Sequence, residues 1–460
     1  MATSIVLCLL SFALCYWAGR RSLLYGLIAV LSVGYVYGIV RANVPETFSH
    51  FIFDAGVVGL YAAQLFRRLS PLESFKVQSL RPWVEFMIAW PFLLFLIPMQ
   101  DFLVQVVGLR GNIFLLPFIL LGARLDNTER QRFALWMAGL NIFAFAFAGL
   151  EYLFGLEMFY PHNPVTALVY ISKDVLNHSF YRIPASFVNA HAYAGTMVMG
   201  LPLLLGAAVQ KQKTILHLQL LIAGIVTALL GVLMSAARTH FLVAAILIIV
   251  ATFSLKSRLG YVFGWLLLLG SIGWTVSSEQ RLQRFLELKD TEAVVERISW
   301  SVNMNFFEIA SNYPLGNGLG GGGTSIPYFL QSNIVNPVAM ENEYARVLLE
   351  QGVVGLLLWV AFILWLLSRR YYSRKDPYHL GKRLAWVSCA AYFALAITGT
   401  GLLTSIPQSY LFLMLIGWIG GRQPLAHVEF VPERLIASPQ RSRELLHSSD
   451  NGAVVIPHAF

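Results

Sequence analysis

Two arginines stand beside long apolar runs, where a fixed positive charge is uncommon. Arg238 lies between the runs 215–236 and 239–255, and Arg182 lies shortly before the run 187–209. An arginine at such a place either extends its long side chain to the membrane interface or is held over a cavity, where it binds an anion. Ionisable residues in membrane segments are kept mainly for function. The sequence therefore favours anion binding for Arg238 and leaves both interpretations open for Arg182.

A histidine, His191, stands at the start of the run that follows Arg182. A lone histidine inside an apolar segment is typical of a hydrogen-bonded packing residue. No further metal-ligand residue stands at close spacing, so the surrounding sequence predicts no metal site.

A glycine-rich segment, 312–323, reads Asn-Tyr-Pro-Leu-Gly-Asn-Gly-Leu-Gly-Gly-Gly-Gly. Consecutive backbone N–H groups in such a segment can surround an anion. The glycines fit a plain flexible loop at least as well. No Gly-Lys-Ser/Thr follows, which excludes a phosphate-binding P-loop.

Two carboxylates, Glu341 and Glu343, precede the apolar run 344–367. Acidic residues at a helix N-terminus are stabilised by the helix dipole, so both fit a helix cap. A general base at the membrane surface is the alternative. Side chains two residues apart point in different directions on a helix, so the two carboxylates need not share one site.

The composition indicates the kind of protein structure that must position these residues. Of the 460 residues, 57% are hydrophobic and 12% are charged, whereas a soluble domain carries roughly 25% charged residues. The formal net charge of +9 is better explained by basic cytoplasmic loops than by nucleic-acid binding. The three cysteines lie in apolar segments, which argues against a disulfide framework.

A helix needs about 20 mostly apolar residues to cross a bilayer. We predict an all-α polytopic membrane protein with about 12–13 transmembrane helices. The thirteen candidate spans are 3–18, 22–40, 50–66, 83–99, 111–124, 133–154, 187–209, 215–236, 239–255, 259–277, 344–367, 384–400 and 403–421. The fifth is short, and its neighbour 98–110 is a candidate extension.

The distribution of Lys and Arg predicts the orientation of these spans. With the N-terminus outside, the short inside loops hold nineteen basic residues and the outside segments hold ten. Positive charge resists translocation, so the N-terminus is expected to be periplasmic and the C-terminus cytoplasmic. The long segments 155–186 and 278–343 then lie outside. The polar segment 422–460 is expected to be a disordered cytoplasmic tail.

Several of these motifs occur together in an order that resembles the O-antigen ligase and O-antigen polymerase family of bacterial inner-membrane glycosyltransferases. The resemblance runs from about Tyr181 to Leu367, which we take as the core of a transmembrane domain 1–421. It is carried by Arg182 through Ala194, Ser235-Ala236-Ala237-Arg238, Pro314-Leu315-Gly316-Asn317-Gly318-Leu319-Gly320, and Glu341-Asn342-Glu343-Tyr344 followed by Leu348, Glu350, Gly352 and Gly355.

The resemblance implies a helical membrane glycosyltransferase similar to the GT-C class, with 278–343 as a periplasmic loop or lid. Such enzymes take a glycan from undecaprenyl diphosphate and pass it to a glycan or lipid acceptor. The family inverts the anomeric centre and needs no metal or other cofactor. The expected partners are thus the lipid-linked donor, the acceptor and the lipid bilayer, with no nucleic acid.

The resemblance also implies the roles of individual residues. Arg182 and Arg238 would stabilise the departing diphosphate, because arginine binds phosphate oxygens bidentately without losing its proton. Glu341 would act as the catalytic base. The substrate-binding candidates are Arg297, Arg346, Asn342, Glu343, Gly316, Gly318, Gly320 and His191.

One position departs from the family pattern. Ligases typically carry His-Asn where this chain has Glu341-Asn342. A carboxylate there can still take a proton from a sugar hydroxyl, so a ligase, a polymerase and an enzyme of another surface polysaccharide all fit. A transporter or a polysaccharide-export component is the rival class. It would keep the spans but is expected to show internal symmetry, which the sequence lacks.

Overall fold

The computed structural model describes residues 2–161, 173–175, 180–211, 214–254, 306–338, 340–369 and 376–422, with single positions between 260 and 299. Most of these residues are helical. The helices are α1 Ala2–Arg21, α2 Leu23–Asn43, α3 Ile52–Leu65, α4 Pro71–Val77, α5 Arg81–Phe95, α6 Phe102–Ile113, α7 Pro117–Arg124, α8 Asn127–Phe154, α9 Ala190–Ala208, α10 Ile215–Met234, α11 Arg238–Ser254, α12 Phe306–Asn312, α13 Glu343–Ser368, α14 His379–Leu395 and α15 Gln408–Gly420. Short 3-10 helices span Thr47–Phe51, Leu156–Met158 and Tyr328–Asn333.

Two short strands add a small hairpin to the helical bundle. Strand β1, Lys173–Val175, pairs antiparallel with β2, Phe180–Tyr181. The hairpin lies in the long segment 155–186, directly before Arg182. The bundle itself is helical, as the composition predicts.

Seven helices in the described part of the chain are long and apolar enough to cross a membrane. They are Ala2–Arg21, Leu23–Asn43, Phe102–Arg124, Asn127–Phe154, Ala190–Ala208, Ile215–Met234 and Glu343–Ser368, and the shorter apolar helices are Arg238–Ser254 and Gln408–Gly420. The chain is therefore a helical multi-pass membrane protein. The predicted span 259–277 falls largely outside the described residues, so the count of thirteen stays a prediction.

Helix α9 lies at the centre of the bundle, and its glycines let neighbouring elements approach closely. It packs against α8, α10, α11, α14 and α15. Gly195 lies directly against the side chain of Gln408, and Gly206 lies against Gly381. Small residues let membrane helices approach closely. By contrast, α1 packs mainly against α2, α3 and their connecting 3-10 helix, and exposes Leu9 and Leu10.

The fifth span begins at Phe102 and not at residue 111, and it is broken into α6 and α7. The break spans 114–116, before Pro117, which has no N–H to continue the helix. The hydroxyl of Tyr61 donates to the carbonyl of Phe114 at 2.8 Å. This bond gives a donor to one of the backbone carbonyls at the break. The predicted neighbour 98–110 is therefore part of this span.

Helix α13 is also broken, at Gly352, where φ is 68° and ψ is −174°. Pro314 lies at this break, and its carbonyl accepts from Val353 N at 2.9 Å. The indole of Trp90 donates to the carbonyl of Gln351, also at 2.9 Å. Groups from outside the helix thus replace the hydrogen bonds that the break removes.

The three cysteines, Cys8, Cys15 and Cys389, are free thiols, as the sequence predicts. The residues that the structure describes belong to one compact unit, Met1–Arg422. The predicted tail lies almost wholly outside them.

Candidate functional site

A cavity of about 1070 Å³ opens at one end of the bundle. Binding pockets for small molecules commonly measure roughly 300–1,000 Å³, so this cavity is at the upper limit. The last turns of α2 and α14 line it together with the first turns of α3, α9, α11 and α15. Because these helices alternate in direction, such ends meet on one side of a membrane bundle.

The cavity is rich in arginine. Among its described lining residues, four arginines face two carboxylates, which leaves a formal charge of +2. The charged residues are Arg41, Arg110, Arg182, Arg238, Asp54 and Glu341. The N-termini of helices add partial positive charge at the same place. The cavity is therefore suited to an anion.

Arg182 is held by a histidine. Its Nη1 lies 2.8 Å from Nε2 of His191, and both residues line the cavity. Arginine only donates hydrogen bonds, so Nε2 accepts and the proton of the neutral imidazole is on Nδ1. The side chain of Arg182 is 4% exposed, which fits a guanidinium fixed in one orientation.

The backbone after Arg182 is anchored from several directions. Ala185 has a φ of 51°, an uncommon value for a residue other than glycine. Its N–H donates to the Glu151 carboxylate at 2.8 Å, and its carbonyl accepts from the Tyr160 hydroxyl at 2.6 Å. The hydroxyl of Ser186 donates to a carbonyl of α2. These bonds fix the chain between Arg182 and the start of α9.

Arg238 begins α11 at the rim of the same cavity and is half-buried. A tight turn separates it from α10. Ala236 has a φ of 50° in this turn, and the Ser235 hydroxyl donates to Val232 O at 2.7 Å. The turn thus brings Arg238 back over the cavity directly after α10 ends. This is the placement that the apolar runs around Arg238 predict.

A second histidine, His240, lies beside His191. The ring centroids are 5.8 Å apart, and the centroid of Tyr392 is also 5.8 Å from His240. Nδ1 of His240 is buried with no hydrogen-bond partner in the described structure. His240 stands two residues after Arg238, and this spacing is the sequence signal that could have identified it.

Glu341 lines the cavity, whereas the two residues after it turn away. The side chain of Asn342 caps α13 by accepting from Tyr344 N at 2.8 Å and from Ala345 N at 3.3 Å. Glu343 is buried and does not line the cavity. The two carboxylates therefore lie in separate environments. The cap gives Asn342 a structural role, and its contact with substrate stays a prediction.

Arg346 also lies away from the cavity, inside the protein. Its side chain is 0% exposed and binds Glu343 at 2.8 Å and Glu350 at 2.9 Å. Asn112 of α6 donates to Glu350 at 2.6 Å, and Gly401 N donates to Glu343 at 2.9 Å. This buried ion network joins α6, α13 and the loop before α15, and the substrate role of Arg346 and Glu343 stays a prediction.

The glycine-rich segment packs between α6 and the broken helix α13. Gly316, Gly318 and Gly320 have φ values of 91°, 90° and 84°. A Cβ at Gly316 would lie 2.9 Å from Gly352 N, and one at Gly320 would lie 2.6 Å from Val104 O. None of the three lines the cavity. Their backbone freedom allows close packing here, and their role in substrate binding stays a prediction.

Arg297, the remaining substrate-binding candidate, lies outside the described residues.

A second group of charged residues lies where sequence reasoning assigned no function. Arg41, His50, Asp54 and Arg110 line the cavity from α2, the 3-10 helix Thr47–Phe51, α3 and α6. Burial lowers the pKa of His50 to about 3, and the charges of Arg41 and Arg110 add to this effect. His50 is therefore neutral at physiological pH. Arg110 stands in an apolar run, and this placement was the sequence signal that could have identified the group.

Comparison with other proteins does not indicate a family for this chain. No protein-family model matches the sequence, and no curated protein sequence matches it.

Proposed function

We propose that this protein is a glycosyltransferase that moves a glycan from a polyprenyl diphosphate to an acceptor hydroxyl. One observation carries the proposal: Arg182, Arg238 and Glu341 all line a single cavity of about 1070 Å³. Fixed cations and a carboxylate are the two kinds of group that this reaction requires. The resemblance to O-antigen ligases and polymerases agrees with this assignment.

The arginines act on the donor. A diphosphate leaving group gains negative charge as the glycosidic bond breaks, and guanidinium groups stabilise that charge through paired hydrogen bonds. Arg182 is held in place by His191, so it needs little reorganisation when the donor binds. Arg238 stands at the rim, where it meets a phosphate that enters from the lipid.

Glu341 acts on the acceptor. Its carboxylate takes the proton of the acceptor hydroxyl while the hydroxyl oxygen attacks the anomeric carbon. The new glycosidic bond forms as the bond between that carbon and the diphosphate oxygen breaks. The diphosphate leaves with the electron pair, and the anomeric configuration inverts. The proposed reaction requires no metal.

The proposed location is the periplasmic face of the bacterial inner membrane, in the assembly of a surface polysaccharide such as lipopolysaccharide O-antigen or an exopolysaccharide. The count of basic residues supports an outside location for the helix ends around the cavity. The lipid-linked donor is then an undecaprenyl diphosphate glycan. Ligase and polymerase activities differ only in the acceptor, and both use this chemistry.

The test is transfer by purified protein in the presence of EDTA. The protein is given an undecaprenyl diphosphate glycan with candidate acceptors, and products are separated by mass. Arg238→Ala is expected to lose transfer, whereas Arg81→Ala keeps it, since Arg81 pairs only with Glu85 in the described structure and its side chain is 69% exposed. Equal transfer by Arg238→Ala and the parent would refute the diphosphate site.

A transporter is the alternative class, and the same preparation distinguishes it. If no glycan is consumed with any acceptor and proteoliposomes instead carry a solute across the bilayer, the protein is a transporter.

A further inference from the structure

Two buried side chains in the cavity wall carry polar atoms that make no hydrogen bond within the part of the chain that the structure describes. They are Nδ1 of His240, on α11, and the hydroxyl of Tyr392, on α14. His240 is 7% exposed and Tyr392 is 5% exposed, and both line the cavity. Their ring centroids are 5.8 Å apart. Two unpaired polar groups therefore lie on neighbouring rings at the cavity.

These unpaired atoms oppose folding unless a ligand uses them. A buried donor or acceptor without a partner loses its bonds to water and gains none in return. Phenylalanine in place of Tyr392 would fill the same space without this loss. A ligand that brings polar groups to the cavity wall removes the loss. The pair of His240 and Tyr392 is thus a candidate for contact with substrate.

Gln408, the first residue of α15, holds the other side of the imidazole. Its side chain hydrogen-bonds the ring of His240, and because Nδ1 has no partner, this bond is at Nε2. Gln408 is itself buried and packs directly against Gly195, where a Cβ would lie 1.8 Å from its Oε1. The ring is therefore fixed through Nε2, and Nδ1 is left for a further partner.

The pair lies next to the proposed diphosphate site. Arg182 contacts His191 at 2.8 Å, and the ring centroid of His191 lies 5.8 Å from that of His240. His240 also stands in the first turn of α11, two residues after Arg238. The sugar is the part of the donor that is bonded to the diphosphate. It is therefore the part that meets His240 and Tyr392.

Hydroxyl groups match both unpaired atoms. The phenol hydroxyl of Tyr392 donates and accepts, whereas Nδ1 of a neutral imidazole does one or the other, depending on the tautomer. A sugar hydroxyl also does both, so it pairs with Nδ1 of His240 in either tautomer. An amide N–H only donates and an amide carbonyl only accepts. The two atoms therefore favour sugar hydroxyls over an acetamido group.

We infer that His240 and Tyr392 bind hydroxyl groups of the sugar that is attached to the donor diphosphate, and that they select donors by this first sugar. The inference rests on the proposed function, which assigns Arg182 and Arg238 to the diphosphate. Side-chain shifts on binding are common, and the exposed ring of His191 beside His240 has room to move. A site built to bind a hydroxyl rejects a substrate that lacks it, because its buried polar atoms are then left unpaired.

A binding experiment tests the pair without any transfer. Farnesyl diphosphate and its glucosyl, galactosyl and mannosyl conjugates are the probes, titrated calorimetrically into purified protein in detergent. The parent is expected to bind the best conjugate about tenfold more tightly than farnesyl diphosphate. Tyr392→Phe is expected to lose most of this gain and to bind farnesyl diphosphate like the parent. Equal binding of all four probes by the parent, or a parental gain in Tyr392→Phe, would overturn the inference.

Tyr193→Phe is the matched control for Tyr392→Phe. The hydroxyl of Tyr193 is also buried without a partner among the described residues, but Tyr193 lies on α9 and does not line the cavity. Its removal is expected to leave the affinity for every probe unchanged. An equal loss in the two variants would show that Tyr392 acts through packing alone.

Variants of His240 separate its two nitrogens. Asparagine places a polar atom near the position of Nδ1, whereas glutamine places one near Nε2, beside Gln408. His240→Asn is expected to keep most of the affinity for the best conjugate, and His240→Gln to lose it about tenfold. Thermal unfolding shows that each variant is folded. Equal affinities of the two folded variants would exclude contact between Nδ1 and the sugar.

Deoxy analogues of the best conjugate, one for each ring hydroxyl, test for direct contact. The parent is expected to bind one analogue about tenfold more weakly than the intact conjugate. Tyr392→Phe or His240→Gln is expected to bind both equally, since the contact is already absent. If every analogue loses as much affinity in both variants as in the parent, the hydroxyl does not meet this pair.

The proposed function and this inference fail separately. If the parent binds no farnesyl diphosphate and transfers no glycan, the proposed function is wrong. If the parent binds farnesyl diphosphate and transfers glycan, but the variants of His240 and Tyr392 keep the parental preference among the sugar conjugates, the proposed function stands and the inference is wrong.

Discussion

Nη1 of Arg182 lies 2.8 Å from Nε2 of His191, across the turn that starts α9. The arginine keeps its proton, so the imidazole accepts and the hydrogen bond selects one tautomer. His191 is therefore a positioning residue: it holds the guanidinium that is proposed to meet the diphosphate.

The first prediction separates this role from simple packing. His191→Leu removes the acceptor, so farnesyl diphosphate is expected to bind about tenfold more weakly at the Arg182–Arg238 site. His191→Gln offers an amide oxygen and is expected to restore most of the affinity. Calorimetric titration measures both. His379→Leu, at the opposite end of α14 from the cavity, is the control. Equal losses for Leu and Gln would show that His191 does not act through hydrogen bonding.

The second prediction concerns Glu341. Glu341→Gln keeps the size of the side chain but cannot take a proton, so the transfer rate is expected to fall about 10²- to 10⁴-fold. Donor affinity should stay unchanged, because the carboxylate acts on the acceptor. Glu85→Gln, at a half-exposed surface pair, is the control. A Glu341→Gln enzyme with parental turnover would remove Glu341 from the mechanism.

The residues in these tests show how much of the candidate site could be predicted from the sequence. The apolar runs beside Arg238 favoured a place over a cavity, whereas for Arg182 they left a cavity and the membrane interface open; both residues line the cavity. Glu341 and Glu343 looked alike, because spacing along a chain does not say which side chain turns inward. Only packing shows that Glu343 meets Arg346 and that Glu341 reaches the cavity.

Contacts between residues far apart in the chain could not be predicted from the sequence. Asp54 and Arg110 are 56 residues apart and meet where α3 and α6 line the same cavity. The sequence left the glycines from 316 to 320 open between a plain loop and an anion loop, since a packing glycine and a phosphate-binding glycine require the same backbone freedom. In the structure, Gly316 packs against Gly352 and Gly320 packs against α6.

The third prediction tests this packing. Gly352 has a φ of 68°, and a Cβ there would lie 2.6 Å from the carbonyl carbon of Leu315. Gly352→Ala is expected to destabilise the fold by about 1–3 kcal/mol from the backbone conformation alone. Thermal unfolding in detergent measures the effect. Gly139→Ala is the matched control, because a Cβ at Gly139 meets nothing within 4 Å. Equal melting of both variants would contradict the broken helix.

The fourth prediction distinguishes a structural arginine from a binding one. Arg346→Ala leaves the buried carboxylates of Glu343 and Glu350 without their cation, at a cost of about 3–5 kcal/mol. The triple variant with Glu343→Gln and Glu350→Gln is expected to recover part of this loss. Arg81→Ala should melt like the parent. If Arg346→Ala is instead stable and binds farnesyl diphosphate poorly, the substrate role predicted from the sequence is correct.

The last prediction follows from the pKa of His50, which is lowered from 6.5 to about 3 in the folded protein. Between these values the unfolded chain binds a proton and the folded protein does not. Stability therefore falls as the pH drops from 6.5 towards about 3, and His50 makes no such contribution above pH 6.5. His50→Gln is expected to lack this part of the acid sensitivity, while His379→Gln keeps it. The measurement is the difference in melting temperature between parent and variant at a series of pH values. A difference that stays constant from neutral to acid pH would show that His50 is not held neutral beside Arg41 and Arg110.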